Sequence, residues 1–331
     1  MRHHRAAITW TVLTGLVVVA FAATVLILNA TLYSAAGFTA SYLAALSRHD
    51  VSAALELAGP TAVSGSAKAG NNLLDSRALG ELRDIRLVSD VDEGGGVHRV
   101  TYSYGMSTGT GAGGAKGATS FEVKRDGTRM GLFSGWIFAT SPLGILAITP
   151  KNDAGFTVNG LQLNASAPGN VSAQQVLTPG LYALGNDSTL FTAKPVYVGI
   201  TAAGGTTKAS VTIQANRAFV SQIQKGLNEQ LKKCATQQVL LPTGCPFGKE
   251  IADRIEGTPV WSIIRNPKVV IVPGPVQGTW QVPQTHGTAH IVVQVRSLFD
   301  GTVKTLDDDV PFMVGYAITF KADGQLVITS Q

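Results

Sequence analysis

Residues 6–28 read AAITWTVLTGLVVVAFAATVLIL, 23 positions without an Asp, Glu, Lys or Arg. Roughly 20 apolar residues rising about 1.5 Å each cross the hydrocarbon core of a bilayer, so the stretch predicts a membrane-spanning helix. A helix of a soluble protein normally keeps a polar face, and this run has none. A cleaved secretory signal is the competing reading, since Ser34, Ala35 and Ala36 offer small residues to a signal peptidase, but the apolar part of such a signal usually runs only about 7–15 residues. Arg2 and Arg5 precede the run with His3 and His4, whereas the first charge after it is Arg48. That asymmetry places the basic end in the cytoplasm. The expected order is a cytoplasmic tail over 1–5, a spanning helix over 6–28, and everything after 28 on the extracytoplasmic side of the cell membrane. Trp10 and Tyr33 stand near the two ends, where aromatic rings favour the membrane interface.

Outward from the anchor, 331 residues leave room for two or three domains, each able to close its own core. Only 14% of residues are charged and 37 are Gly, a texture of strands, turns and loops. Without Arg2 and Arg5 the 26 basic residues become 24 against 21 acidic, a surplus of three. No Lys/Arg-rich block with interleaved aromatics accompanies it, so nucleic acid is not an expected partner. Cys234 and Cys245 lie in LKKCATQQVLLPTGCPFG (231–248). In an oxidising compartment they should pair, closing a short loop for about 3 kcal/mol. A zinc site is disfavoured because no His stands near them and two thiolates do not complete a tetrahedral shell.

After the anchor, Phe38, Tyr42 and Leu46 recur every four residues with Ala45 beside them, which predicts a helix from Ser34. Asp50 caps a second, Val51 to Leu57, ended by Gly59-Pro60. Ala62 to Asn72 is a predicted surface loop, and Asn72 to Leu82 a further helix. Alternation then predicts strands at Ile85–Val88, Val97–Tyr104 and Ser120–Lys124, and a last one at Trp136–Phe138. The Gly-rich stretch Thr108–Gly117 is expected to be a hairpin tip. It is not a phosphate loop, because Lys116 is not followed by Ser or Thr and no helix pattern begins there. Helices first and an antiparallel sheet afterwards give an α+β layer over 29–142. FTASYLAALSRHDVSAALELAGP (38–60) resembles the opening of the cone-shaped NTF2-like (cystatin-like) domains of bacterial envelope proteins. That resemblance implies a cone whose interior could be an apolar pocket lined by Tyr42, Tyr102 and Trp136.

Residues 143–215 carry short strands with strong turn signals. Asn159-Gly160 between Phe156–Val158 and Leu161–Leu163 predicts a tight hairpin. Pro179-Gly180 precedes a strand at Leu181–Leu184, and Val196–Ile200 and Ala209–Ile213 add two more. The expectation is a small all-β sandwich. FTVNGLQL (156–163) and LTPGLYAL (177–184) resemble the PEGA-like β modules that act as spacers in surface-anchored proteins. Over 216–331, Asn216 caps a helix with Phe219, Ile223, Leu227 and Leu231 on one stripe. A helix at Gly248–Ile255 follows. Predicted strands are Trp261–Ile264, Lys268–Val272, Thr279–Val282, Ala289–Val295, Pro311–Phe320 and Gln325–Thr329. The first domain's order recurs, implying a second cystatin- or NTF2-like domain pinned by the disulfide.

Candidate chemistry is sparse. His286 and His290 are four apart, but on an extended chain that is about 13 Å, too far to share a metal. Asp307, Asp308 and Asp309 lack the calcium-loop pattern and read as a solvated bend. No Gly-x-Ser-x-Gly elbow is present. His49 adjoins Asp50, a pair that NTF2-like enzymes use, yet Asp50 is needed as a helix cap. No catalytic, cofactor-binding or metal residue is therefore assigned. The chain resembles membrane-anchored envelope proteins of the actinobacterial type. It is also similar to staphylococcal membrane proteins of the glycopeptide response, without their cytoplasmic zinc-ribbon, since the five residues before the anchor include no Cys. The expected function is a non-catalytic, single-pass envelope protein whose outer domains bind a partner protein or wall component. The alternatives are a module sensing a small, glycan- or antibiotic-like ligand, and a hydrolase or isomerase in the first cone.

Overall fold

The computed structural model describes residues 2–60, 69–108, 113–321 and 324–331, with the side chains of residues 2–9 excepted. Positions 62–68 of the expected loop and positions 109–112 of the expected Gly-rich tip lie outside the described residues. The protein is α+β and mostly strands. Helix α1 (Arg2–Ala30) contains one stretch, Trp10–Ala30, long and apolar enough to cross a membrane, and none of it is buried in the protein.

Helices α2 (Ala35–Ser47) and α3 (Val51–Ala58) begin at caps that the sequence supplies: Ser34 accepts from Gly37 N–H, and Asp50 from Ala53 N–H. They cover one face of an antiparallel meander in the order β1 (Glu81–Gly94), β2 (Val97–Ser107), β3 (Ala115–Arg129) and β4 (Phe133–Phe138). Val100, Tyr102 and Tyr104 of β2 and Phe121 and Val123 of β3 alternate inward to meet Tyr42, Leu43 and Leu46. The expected helix over Asn72–Leu82 is absent. Only a 3₁₀ turn forms, at Ser76–Ala78, and β1 starts at Glu81. Two forces override helical propensity: the Asp75 side chain takes Arg77 N–H in a local turn, and Leu73 and Ala78 are drawn into the neighbouring core.

Residues 143–215 form two four-stranded sheets sharing one core. One has the order β10 (Phe191–Ala193), β12 (Thr206–Ala215), β5 (Leu143–Lys151), β8 (Ser172–Leu177); the other β11 (Val196–Ile200), β9 (Gly180–Gly185), β6 (Gly155–Val158), β7 (Leu161–Asn164). All pairings are antiparallel except β5 with β12. Leu146, Ile148, Val176 and Val211 of one sheet face Phe156, Val158, Tyr182 and Leu184 of the other. The β6–β7 turn is the expected one, with Asn159 and Gly160 at φ 48° and 84°.

Asn216 caps α4 (Arg217–Ala235), whose stripe Phe219, Ile223, Leu227 and Leu231 is buried. The helix packs on a six-stranded sheet centred on β16 (Trp280–Arg296). One edge of β16 pairs with β17 (Val303–Phe320), which continues to β18 (Leu326–Ser330). The other edge is covered in succession by β15 (Val272–Pro273), β14 (Val260–Arg265) and β13 (Arg254–Ile255). Four details correct the reading of the sequence. No helix forms over Gly248–Ile255: Lys249 is tied by its N–H to Leu240 O and by its ammonium to Asp308, and β13 begins at Arg254. The strand at Lys268–Val272 shrinks to Val272–Pro273, because Val269 N–H is taken by Gln224 Oε1 instead of a ladder. Thr279–Val282 and Ala289–Val295 belong to a single strand; Pro283 falls within the irregularity between Val282 and Thr285, where a ladder N–H is not required. Asp307–Asp309 are not a bend but the interior of β17.

The cores are not sealed from one another. Leu143, Leu177 and Leu181 of the sandwich pack into the first core. Leu73 and Ala78, before the meander, pack into the sandwich. Phe191 and Ile213 of the sandwich pack into the third core, where Phe191 stacks on Trp280 at 5.1 Å.

Candidate functional site

A broad depression sits where the Asp75–Leu79 segment crosses the sandwich. The hairpin turn at Asn159 fixes it: the Asn159 amide donates to Ala78 O at 2.6 Å and Leu181 O at 3.1 Å, and its Oδ1 accepts from Ala183 N–H at 2.7 Å. The result is a cleft of about 570 Å³ bordered by Arg77 and Leu79 on one side and by Thr157, Asn186, Asp187, Thr192 and Tyr197 on the other. Arg77 makes a two-pronged contact with Asp75, at 3.1 and 2.9 Å. The hydrogen bonds from Arg77 hold the Asp75 carboxyl down to about 2. Arg77 also borders a second depression of about 540 Å³ against Leu161–Asn164. Asn186 donates to Gly155 O at 2.8 Å, while its buried Oδ1 meets no protein donor. The cleft lining thus offers a guanidinium, one carboxylate, amides, threonine hydroxyls and the half-exposed ring of Tyr197, with neither His nor Cys among them. Such a lining can hydrogen-bond and stack.

No family model, curated protein or solved structure matches the chain.

The residues expected to line a cone interior are packed within one core, where each closes a joint. Tyr42 has no accessible surface; its ring meets Phe121 and Phe138 at 5.9 and 5.1 Å, and its hydroxyl donates to Thr178 O at 2.9 Å and Pro142 O at 3.3 Å. Burial drives its ionisation well above the ordinary phenol range, with the nearby Tyr182 adding to it. Tyr102 donates to Ala36 O at 3.0 Å, and burial raises its pKa too. Trp136 donates its indole N–H to Tyr33 O at 2.8 Å and borders a small hollow of about 180 Å³ with Leu32, Phe38 and Leu57. The interior around Tyr42 is filled, and the larger cleft lies elsewhere.

Cys234 and Cys245 are joined in a disulfide, with Cα atoms 5.7 Å apart. His286 and His290 share a strand. His290 faces the acidic run of β17, its Nδ1 2.8 Å from Asp309 and its Nε2 3.3 Å from Asp307. Asp308 points to the other face and pairs with Lys249, whose hydrogen bond and then charge lower the Asp308 pKa. Among the described residues no group of three His, Cys, Asp or Glu side chains is arranged to hold a metal ion. His49 sits at the α2–α3 junction with φ 57°, and Asp50 is spent as the cap. The sequence reading missed the cleft because its walls come from residues 77 to 197 with no local motif. The one signal was Asn159-Gly160, read as a turn without the reach of its amide.

Proposed function

We propose that this is a single-pass protein of the bacterial cell envelope whose extracytoplasmic modules bind a partner protein or wall component without catalysis, and that the cleft between Arg77 and Tyr197 receives it. The observation carrying this reading is the cleft itself, about 570 Å³ lined by hydrogen-bonding side chains from the Arg77 segment and from the sandwich. The disulfide supports an oxidising compartment for the folded part, and the basic residues before the anchor support an N-in orientation. In this reading the flanking modules are NTF2-like or cystatin-like and the middle one a PEGA-like spacer that has become a structural hub. A small glycan-like ligand is the second reading, favoured because pockets for such molecules occupy about 300–1,000 Å³.

The test is site-specific photo-crosslinking in intact cells, with a benzophenone side chain replacing Thr192 in the cleft or the exposed Lys208 of β12. The cleft position should give an adduct that Lys208 does not. Its added mass separates partner protein, wall fragment and small ligand. Equal, background labelling at both positions would overturn the assignment of the cleft. Protease added to intact cells should digest the chain beyond residue 28; digestion only after lysis would reverse the topology.

A further inference from the structure

The last turn of α1 is tied to the β3–β4 connection. Asn29 Nδ2 donates to Leu132 O at 3.0 Å, and its Oδ1 accepts from Ser134 N–H at 2.8 Å. Tyr33 stacks on Phe133 at 4.2 Å with planes 20° apart, and Trp136 donates to Tyr33 O. These contacts fix the height of the hairpin along the helix axis. Asn29 follows directly on the apolar run that ends at Leu28, so the level of Asn29 is the level at which a spanning helix leaves the hydrocarbon.

The hairpin tip held there is apolar and bare. Met130 is 90% exposed and Leu132 48%, beside Leu32 at 63%. Arg129, next to Met130, borders the same hollow as Leu32 and Trp136. The turn is closed by Leu132 N–H to Arg129 O, and its two central residues, Met130 and Gly131, both have positive φ, 52° and 68°. Turns of this kind favour Asn or Gly at the first central position, and the β6–β7 turn of this same chain uses Asn159 there. Met130 is therefore a poor choice for the turn, and its side chain gains nothing from the protein around it. An unbranched apolar side chain flanked by arginine suits the boundary between headgroups and acyl chains.

We propose that the Met130–Leu132 tip dips into the outer leaflet beside α1 and makes a second, lipid-facing contact that sets the tilt of the folded modules on the membrane. The occupant of this apolar tip is lipid, because the tip is continuous with a spanning helix and hydrogen-bonded to its last turn. The inference rests on the reading of α1 as a spanning segment.

The experiment uses the full chain with its disulfide intact, reconstituted in phosphatidylcholine/phosphatidylglycerol vesicles. A polarity-sensitive fluorophore is placed in turn on Met130→Cys, Leu132→Cys, Leu16→Cys and Lys208→Cys, and quenched by lipids carrying nitroxides at shallow or deep positions. Leu16 should be quenched by the deep label, Met130 and Leu132 several-fold more by the shallow label than Lys208, and Asn29→Ala should reduce quenching at Met130 while leaving Leu16 unchanged. Quenching at Leu16 with Met130 and Leu132 behaving like Lys208 would overturn the hairpin contact and leave the anchor standing. Loss of quenching at Leu16 as well would remove the anchor. Quenching at Met130 that disappears as protein is diluted in lipid, with energy transfer between copies, would assign the tip to a second copy instead and likewise overturn the proposal.

Discussion

Tyr42 buries its whole ring yet keeps its hydroxyl on two carbonyls, Thr178 and Pro142, that belong to the neighbouring module and the segment leading into it. Tyr42→Phe preserves the packing and takes the hydroxyl from the Thr178 carbonyl, while Pro142 O keeps the Thr178 N–H; an unpaired buried polar group costs about 1–3 kcal/mol. Urea unfolding of the full chain in detergent should show a loss of that size; a loss indistinguishable from zero would mean that the contact does not hold the modules together. Asp75 tests charge instead of burial. Its carboxyl is held at about 2 by Arg77, below the 3.8 it would have without that partner. A lowered folded-state pKa adds stability that is complete above the unfolded value and is lost as pH falls through the folded one. Between pH 4 and pH 2 the acid destabilisation should therefore be shallower in Asp75→Asn than in the parent, with the two converging at the acid end of that window. Because Arg77 is exposed and Asp75 partly so, the effect should weaken in high salt.

Helix α4 shows why one cap residue can matter twice. Asn216 Oδ1 accepts from Phe219 N–H at 3.0 Å, and its Nδ2 donates to Ser188 O and Thr189 O across the boundary with the sandwich. Removing a cap costs about 1 kcal/mol, and the lost donor adds a further share of about 1 kcal/mol. Asn216→Ala should thus lose about twice what Asn216→Asp does, since Asp keeps the acceptor and loses only the donor. No loss in Asn216→Asp beside a full cap loss in Asn216→Ala would show that the bonds to the sandwich contribute nothing. The disulfide after α4 should add about 3 kcal/mol, read as a drop in melting temperature on reduction and a mass gain of two hydrogens. These helices were legible in the sequence because a cap, a stripe and a stop all lie within a few residues of one another. β16 was not: Pro283 and Gly287 look like breaks, and only the partner strand β17 shows that the ladder continues past them. The acidic run Asp307–Asp309 was misread for the same reason, since its partners His290 and Lys249 are brought to it by hairpin register and by a loop. The cleft was least legible of all, being walled by segments with no common sequence signal.

Three cores that exchange side chains make a molecule unlike a string of independent beads. Tyr42 reaches from the first module into the second, Leu73 and Ala78 complete the sandwich core, and Phe191 leaves the sandwich to stack on Trp280 while meeting Phe219 and Phe320 edge-on. A rigid junction is what a cleft between modules needs, because its walls keep their spacing only if the modules do not swing. Phe191 is the residue on which the second junction can be tested, since it is buried and its removal leaves the edges of both modules intact. Phe191→Ala should cost about 3–5 kcal/mol, as for other large aromatic truncations in a core. More tellingly, calorimetry of the full chain should show the folded modules melting in one transition in the parent and in two in the variant. The third module should melt separately, because its core loses the shared ring while the sandwich keeps Val211 and Tyr182 packed. If the parent already melts in well-separated steps, the junctions carry little energy. The cleft would then be a gap between loosely tethered bodies instead of a preformed site.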